Sequence, residues 1–157
     1  MSPSSIPLDR RIIFALDVNT AGEAMKLVDQ LSSHIRFFKV GLRLFLAEGW
    51  ELIDRIRERD CDIMLDLKFY DIPVTVASAV EQLADRGVSL ATVHGEPAIL
   101  RAAADVQQKT SGCPGILAVT VLTSMGDQAL KSMGATLSVS DLVRARASQA
   151  AEAGCAG

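Results

Sequence analysis

Short apolar runs alternate along the chain with segments in which apolar residues recur at helical spacing. The runs are almost continuously hydrophobic, which is typical of strands buried on both faces of a parallel sheet. Each run becomes polar only at its carboxyl end. The five predicted strands are residues 11–17, 35–40, 63–68, 88–94 and 116–122.

Helical periodicity follows each of these strands. Thr20 is a predicted N-cap, and Gly87 is a candidate C-cap at the end of the third helix. The predicted helices follow Thr20 and Gly41 and cover about 73–86, 97–108 and 140–153. The segment 123–139 is predicted to be a loop.

The alternation of strands and helices predicts βα units, which give parallel strands and right-handed crossovers. Two architectures fit this pattern: a doubly wound sheet, which five units can complete, and a (β/α)₈ barrel, which needs eight units and about 200 residues or more. The chain has 157 residues.

The polar residues at the strand ends favour the barrel. In a barrel these ends meet at one rim, where active sites lie, whereas an open sheet spreads them along an edge. The fold class is therefore predicted to be the TIM (β/α)₈ barrel, with about five βα units present. The strand-end residues are Asp17, Lys39, Asp66 with Lys68, His94, and Thr123 with Ser124.

Domain boundaries follow from the same pattern. Residues 1–10 are rich in Ser and Pro and are predicted to be a flexible tail, and residues 11–157 the N-terminal portion of a single barrel domain. Residues 152–157 resemble a helix end that turns into a sixth strand. We therefore expect the chain to be part of a longer protein.

Composition narrows the classes of function. Hydrophobic residues make up 49% and charged residues 22%, as in globular proteins, and a net charge of −3 without a basic run gives no nucleic-acid surface. The apolar stretch 115–122 is too short to span a membrane, and the N-terminus lacks an apolar signal core, so a cytoplasmic protein is expected. Cys61, Cys113 and Cys155 form no C-x-x-C pair, which favours idle thiols in a reducing compartment.

The richest candidate chemistry lies in residues 66–73, Asp-Leu-Lys-Phe-Tyr-Asp-Ile-Pro. Side chains alternate along a strand, so Asp66 and Lys68 are predicted to point to the same side. Burying charges is costly unless they are paired, so a core strand that ends in these charges is a candidate catalytic element. Two structural alternatives remain open: Asp66 and Lys68 form a structural ion pair, and Asp71 is the N-cap of a helix that begins at Pro73.

The other strand-end residues also have structural alternatives. Asp17 fits the cap of a turn, and Lys39 fits a lysine whose stem lies on apolar surface while its ammonium reaches water. His94 fits a hydrogen-bonded structural histidine as well as a ligand contact. Thr123 and Ser124 fit turn residues with local backbone bonds.

In several motifs, taken in chain order, the sequence resembles the orotidine 5′-phosphate decarboxylases, and more narrowly their bacterial branch. The resemblance runs from about residue 12 to the end of the chain, and its most specific part is D-x-K-x-x-D-I-P at 66–73. A bare D-x-K-x-x-D is shared with sugar-phosphate enzymes on the same barrel. The matching motifs are FALD at 14–17, FKVG at 38–41, DLKFYDIP at 66–73, TVHG at 92–95 and VLTSM at 121–125.

This resemblance implies decarboxylation of orotidine 5′-monophosphate to UMP in de novo pyrimidine synthesis. It implies no cofactor and no metal, and a homodimer whose active sites lie at the subunit interface. It also implies that the main phosphate-binding residues, including an arginine, lie beyond residue 157.

Residue roles are likewise implied by the resemblance. Lys39, Asp66, Lys68 and Asp71 would form a charged tetrad, in which Lys68 donates the proton and Asp66 lies beside the substrate carboxylate. The other implied substrate contacts are Asp17 with Lys39 at the ribose hydroxyls, Asp71 with Thr75 at the neighbouring subunit's site, Ile72, and Thr123 with Ser124 at the pyrimidine.

Two alternative functions remain. One is a metal-dependent sugar-phosphate lyase or synthase on the same barrel, which a chelator would inhibit. The other is a truncated, inactive fragment that only associates through an open sheet edge.

Overall fold

The computed structural model of the protein describes residues 6–157, in which five parallel strands alternate with six α-helices. The strands are β1 (Phe14–Ala15), β2 (Phe37–Gly41), β3 (Asp62–Phe69), β4 (Leu90–His94) and β5 (Gly115–Val119). The helices are α1 (Ala21–Leu31), α2 (Leu42–Arg57), α3 (Pro73–Glu81), α4 (Pro97–Lys109), α5 (Asp127–Ser132) and α6 (Val139–Ala153).

The strands lie side by side in their order along the chain, β1-β2-β3-β4-β5, and every neighbouring pair is parallel. A doubly wound sheet reverses its strand order at a switch point, and this sheet has no reversal among the described strands. The progression is that of a (β/α)₈ barrel, of which the described chain forms five strands. The predicted fold class is confirmed, and the doubly wound alternative is wrong.

Part of the predicted tail lies in the described region. Residues 1–5 lie outside the described residues, whereas Leu8–Arg10 form a short 3₁₀ helix. The Arg10 guanidinium forms an ion pair with Asp62 at the start of β3. This contact places residues 8–10 against the N-terminal end of the sheet.

The core lies between the sheet and its helices. Phe38, Val40, Ile63 and Leu65 are completely buried on β2 and β3. Helix α1 begins at the predicted N-cap, Thr20, within a reciprocal capping box with Glu23, and presents three buried residues to this core: Ala24, Met25 and Val28.

Three helical predictions need correction. The predicted loop 123–139 contains α5, whose six residues are too few to show helical periodicity. Helix α3 ends at Glu81 and not at residue 86, and the turn that follows contains Asp85, whose φ of 60° is incompatible with a right-handed helix. Helix α2 is interrupted at Gly49, which has a φ of 61° and a ψ of −151°.

The end of α6 leads back to the sheet. Gly154 adopts a φ of 84°, which is typical of a residue that ends a helix. The Ala156 amide then donates to the Ile116 carbonyl at 2.8 Å, and the Ala118 amide donates to the Gly157 carbonyl at 2.8 Å. The residues predicted to turn into a sixth strand therefore lie along β5. Within residues 6–157, no helix has the length and apolarity needed to cross a membrane.

Candidate active site

A cavity of about 750 Å³ opens at the C-terminal ends of the strands. Strand-end side chains form its polar wall, and the segment that contains α5 covers part of it with Met125, Leu130 and Met133. The charged and polar lining residues are Asp17, Lys39, Arg43, Asp66, Lys68, Tyr70, His94 and Arg146. The cavity therefore brings four of the predicted site residues together: Asp17, Lys39, Asp66 and Lys68.

These four residues alternate in charge across β1, β2 and β3. The Asp66 carboxylate lies at the centre, with its Oδ1 2.8 Å from the Lys68 Nζ and its Oδ2 3.4 Å from the Lys39 Nζ. The Lys39 Nζ lies 3.4 Å from the Asp17 Oδ1. Each ammonium therefore has a carboxylate neighbour, and Asp66 contacts two ammonium groups.

Asp66 is the most buried of these groups, with 9% of its surface exposed. Burial raises the pKa of this carboxyl. Hydrogen bonds from Lys68 and Thr92 and the charges of Lys68 and Lys39 lower the pKa by more than burial raises it, so the net shift is downward. Asp66 is therefore ionised at neutral pH and gives the cavity wall a fixed negative charge between two positive ones.

A bulge in β3 creates this geometry. Leu65 pairs with Ala91 and Phe69 pairs with Val93, so three residues of β3 lie opposite a single residue of β4. Lys68, within the bulge, has a φ of 52°. That conformation costs a residue with a side chain about 1–2 kcal/mol. Asp66 and Lys68 meet as predicted, but through a bulged backbone and not through simple strand alternation.

Thr92 is the β4 residue opposite the bulge, and the sequence analysis assigned it no role. Its hydroxyl donates to the Asp66 Oδ1 at 2.9 Å and accepts the Lys68 backbone N–H at 2.9 Å. The available signal was a hydroxyl-bearing residue inside an apolar strand. Its partners became visible only when the pairing of β3 with β4 was known.

His94, Tyr70 and Arg146 form the opposite part of the wall. The ring centroids of Tyr70 and His94 lie 4.2 Å apart, and the His94 Nδ1 is buried without a hydrogen-bond partner. Arg146 donates to the Thr120 carbonyl and passes close to Gly95, where a Cβ would lie 2.8 Å from the Val119 carbonyl oxygen. Burial and, secondarily, the Arg146 charge lower the pKa of His94.

Beyond Tyr70, the predicted site residues between β3 and the first turn of α3 do not reach this cavity. Asp71, Ile72 and Thr75 are exposed, and none of them lines the cavity. The Asp71 Oδ1 accepts the Ile72 amide at 2.6 Å. Ile72 and not Asp71 is the N-cap of α3, so the alternative in which Asp71 caps this helix is wrong.

Thr123 and Ser124 lie in a turn closed by a 2.9 Å bond from the Met125 amide to the Leu122 carbonyl. Both are exposed, whereas Leu122 and Met125 on either side of them line the cavity. The structure thus places the turn beside the cavity without bringing these two side chains into its wall.

The cavity offers fixed charges for a reaction in which negative charge moves. Lys68 and Lys39 present ammonium groups next to an ionised carboxylate, in a wall that also contains apolar side chains. Preorganised charges of this kind stabilise developing negative charge without reorganisation during the reaction. An ammonium in such a position also serves as a general acid.

Comparisons with known proteins identify the family of the chain. Residues 10–157 match the model of the family described as "Orotidine 5′-phosphate decarboxylase / HUMPS family". The orotidine 5′-phosphate decarboxylase of Methylococcus capsulatus is 44% identical over 158 residues, which cover 100% of this chain and 64% of the relative. That of Xanthomonas oryzae pv. oryzae is 44% identical over 161 residues, which cover 100% of this chain and 65% of the relative.

A solved structure gives the same result. The crystal structure of orotidine 5′-phosphate decarboxylase from Lactobacillus acidophilus superposes with a TM-score of 0.83 at 32% identity, over 94% of this chain and 69% of that one. The chain therefore spans about two thirds of the length of the proteins that it resembles.

Proposed function

The chain belongs to the orotidine 5′-phosphate decarboxylase / HUMPS family, and from this premise we propose that it contributes the catalytic half-site for converting orotidine 5′-monophosphate to UMP in pyrimidine synthesis. One observation carries the proposal. The Lys68 ammonium lies at the cavity wall, 2.8 Å from the buried Asp66 carboxylate.

The proposed reaction breaks the bond between C6 of the pyrimidine and its carboxylate. Carbon dioxide leaves, the electron pair stays on C6, and Lys68 supplies the proton that forms the new C6–H bond. A fixed ammonium beside C6 stabilises this negative charge as it develops. Asp66 lies beside the substrate carboxylate in this arrangement, and Lys39 with Asp17 contacts the ribose hydroxyls. No cofactor takes part in the proposed reaction.

Asp66 has two effects in this scheme. Its carboxylate holds the Lys68 ammonium in place through a 2.8 Å contact. It also repels the substrate carboxylate more before carbon dioxide leaves than afterwards. Lys39 on the far side of Asp66, at 3.4 Å, offsets part of the negative charge.

A turnover assay tests this function. UMP is measured by chromatography for the chain alone and for a completed protein, which we define as the chain joined to the part of the Methylococcus relative that it does not cover. We expect turnover in the completed protein that is unchanged by a metal chelator. Abolition by the chelator, with a sugar phosphate accepted in place of the nucleotide, would favour the metal-dependent synthase.

We also propose a homodimer with shared sites. Tyr70, Ile72 and Val74 are large apolar side chains with 67%, 63% and 67% of their surface exposed, next to Asp71 and Thr75. Exposed apolar clusters of this kind mark protein–protein interfaces. In the proposed dimer, Asp71, Ile72 and Thr75 lie beside the partner's cavity, where Asp71 completes the charged tetrad.

Mixing two inactive variants tests the shared site. Lys68→Ala and Asp71→Ala are each prepared in the completed protein, and each is expected to be inactive because every site lacks one member of the tetrad. Random mixing would give mixed dimers in which one site combines an intact Lys68 with an intact Asp71. We expect about a quarter of the wild-type turnover, since half of the dimers are mixed and each has one complete site. A mixture without activity would contradict the shared site.

A further inference from the structure

Thr92 carries a buried hydroxyl on β4. Only 3% of its surface is exposed, and its strand neighbours Ala91 and Val93 are completely buried. A buried hydroxyl is costly unless its hydrogen bonds are satisfied. The presence of threonine here therefore calls for specific partners.

The hydroxyl has two partners, and both belong to the predicted catalytic pair. It donates its proton to the Asp66 Oδ1 at 2.9 Å and accepts the Lys68 backbone N–H at 2.9 Å. A hydroxyl has one donor and two acceptor sites, so one Thr92 side chain serves both residues at once. The same Oδ1 of Asp66 also accepts a hydrogen bond from the Lys68 Nζ at 2.8 Å.

The β3 bulge explains why such a group is needed. A regular ladder would supply a β4 backbone carbonyl to each β3 N–H that points toward β4, but the ladder is interrupted between Leu65 and Phe69. The Lys68 amide is bound by a side chain instead. Lys68 also has a φ of 52°, and a strained conformation persists only where surrounding contacts fix it.

We propose that Thr92 is a positioning residue, which holds the Asp66 carboxylate and the Lys68 backbone in one arrangement so that the Lys68 ammonium stays directed into the cavity. Thr92 does not touch the substrate in this proposal and acts through its two partners. The inference rests on the proposed function for its catalytic meaning, whereas the positioning itself is independent of turnover.

Amide hydrogen exchange in the 157-residue chain tests the positioning directly. In the unmodified chain the Lys68 amide should exchange much more slowly than the Tyr70 amide, which lies beyond the end of β3. Thr92→Val keeps the size of the side chain but removes the hydroxyl, and should accelerate Lys68 exchange about tenfold. Thr92→Ser should restore protection. Thr110→Val, the same change at the end of α4, is the matched control and should leave Lys68 unaffected.

Kinetics of the completed protein test the catalytic meaning. Thr92→Val should lower kcat about a hundredfold, because small displacements of a catalytic group have effects of this size, while KM changes little. Thr92→Ser should recover most of kcat, and Thr110→Val should match the wild type.

The outcomes separate the two proposals. Unprotected Lys68 exchange in the unmodified chain would overturn the positioning role even if Thr92→Val failed to fold. Equal kcat in Thr92→Val and wild type would overturn its catalytic meaning. If Thr92→Val accelerates Lys68 exchange but the completed protein with the wild-type sequence forms no UMP, the positioning role is upheld and the proposed function is rejected.

Discussion

The two ends of the sheet carry similar chains of alternating charge, but they are built differently. At the C-terminal end, Asp17, Lys39, Asp66 and Lys68 alternate around a cavity. At the N-terminal end, Arg36 contacts Asp9 and Asp60, while Arg10 contacts Asp60 and Asp62. Both chains of charge connect residues in or next to neighbouring strands, so alternation of charge alone does not mark an active site.

Three features distinguish the C-terminal end. Its central carboxylate is buried, whereas 77% of the Asp60 side chain is exposed. Its cations are lysines, which are compact point charges and can donate a proton, whereas the other end uses arginines, which stay protonated. Its backbone is bulged at Lys68. The comparison indicates that burial, a transferable proton and local strain are better markers of chemistry than charge pairing.

The largest expected difference between the two ends of the sheet is in turnover. In the completed protein, Lys68→Ala should lower kcat about a thousandfold or more, because it removes both the proton donor and the charge that stabilises the carbanion. Arg36→Ala, which removes a cation from the charge chain at the opposite end, should leave kcat within about twofold. UMP formation and thermal unfolding are measured for both variants. Wild-type turnover in a folded Lys68→Ala variant would remove the proton-donor role.

A smaller difference is expected in the relative stability of glycine and alanine variants at the two ends of the sheet. Lys68→Gly should be more stable than Lys68→Ala by about 1 kcal/mol, because glycine adopts a positive φ without the clash of a Cβ. The order should reverse at Asp62, a strand residue at the opposite end, where Asp62→Gly should be less stable than Asp62→Ala by about 0.5–1 kcal/mol. Urea unfolding measures both differences. The same sign at both positions would contradict the bulged geometry of Lys68.

The smallest expected effect concerns pH. The pKa of His94 lies below its ordinary value of 6.5, so the unfolded chain binds this proton more readily than the folded chain. This group therefore leaves the free energy of unfolding unaffected well above pH 6.5 and lowers it as the pH falls below that value. His94→Asn should remove that part of the loss between pH 7 and pH 5 in urea unfolding. An identical pH dependence in both proteins would contradict the shift.

Sequence patterns predicted the parts of the fold that depend on local information. The apolar run of β3 and the Thr20 cap of α1 are visible within a few residues, and both are confirmed. Helix α5 was missed because a six-residue helix shows less than two turns of periodicity. Strand β1 is restricted to Phe14–Ala15, against a prediction of 11–17, because pairing with β2 covers only those residues.

The site residues that lie at the carboxyl ends of strands were predictable from the sequence. Asp17, Lys39, Asp66 and Lys68 are the last polar residues of predicted strands, and a parallel sheet brings such residues to one end. The role of Thr92 depends on how β3 pairs with β4, and the contact of Arg146 with Thr120 depends on how α6 packs, so neither is visible in the sequence. Asp71 and Thr75 remain proposals, because their predicted contacts are with a second subunit.

The bulge of β3 has a consequence for protein engineering. Three residues of β3 lie opposite one residue of β4 in the interrupted part of the ladder, so β3 contains two more residues there than regular pairing with β4 requires. Deleting two residues between Leu65 and Phe69 would restore an ordinary parallel ladder and leave the surrounding hydrophobic layers in register. The reverse insertion, together with a threonine on the adjacent strand, offers a compact way to graft a carboxylate–ammonium pair onto an inert barrel.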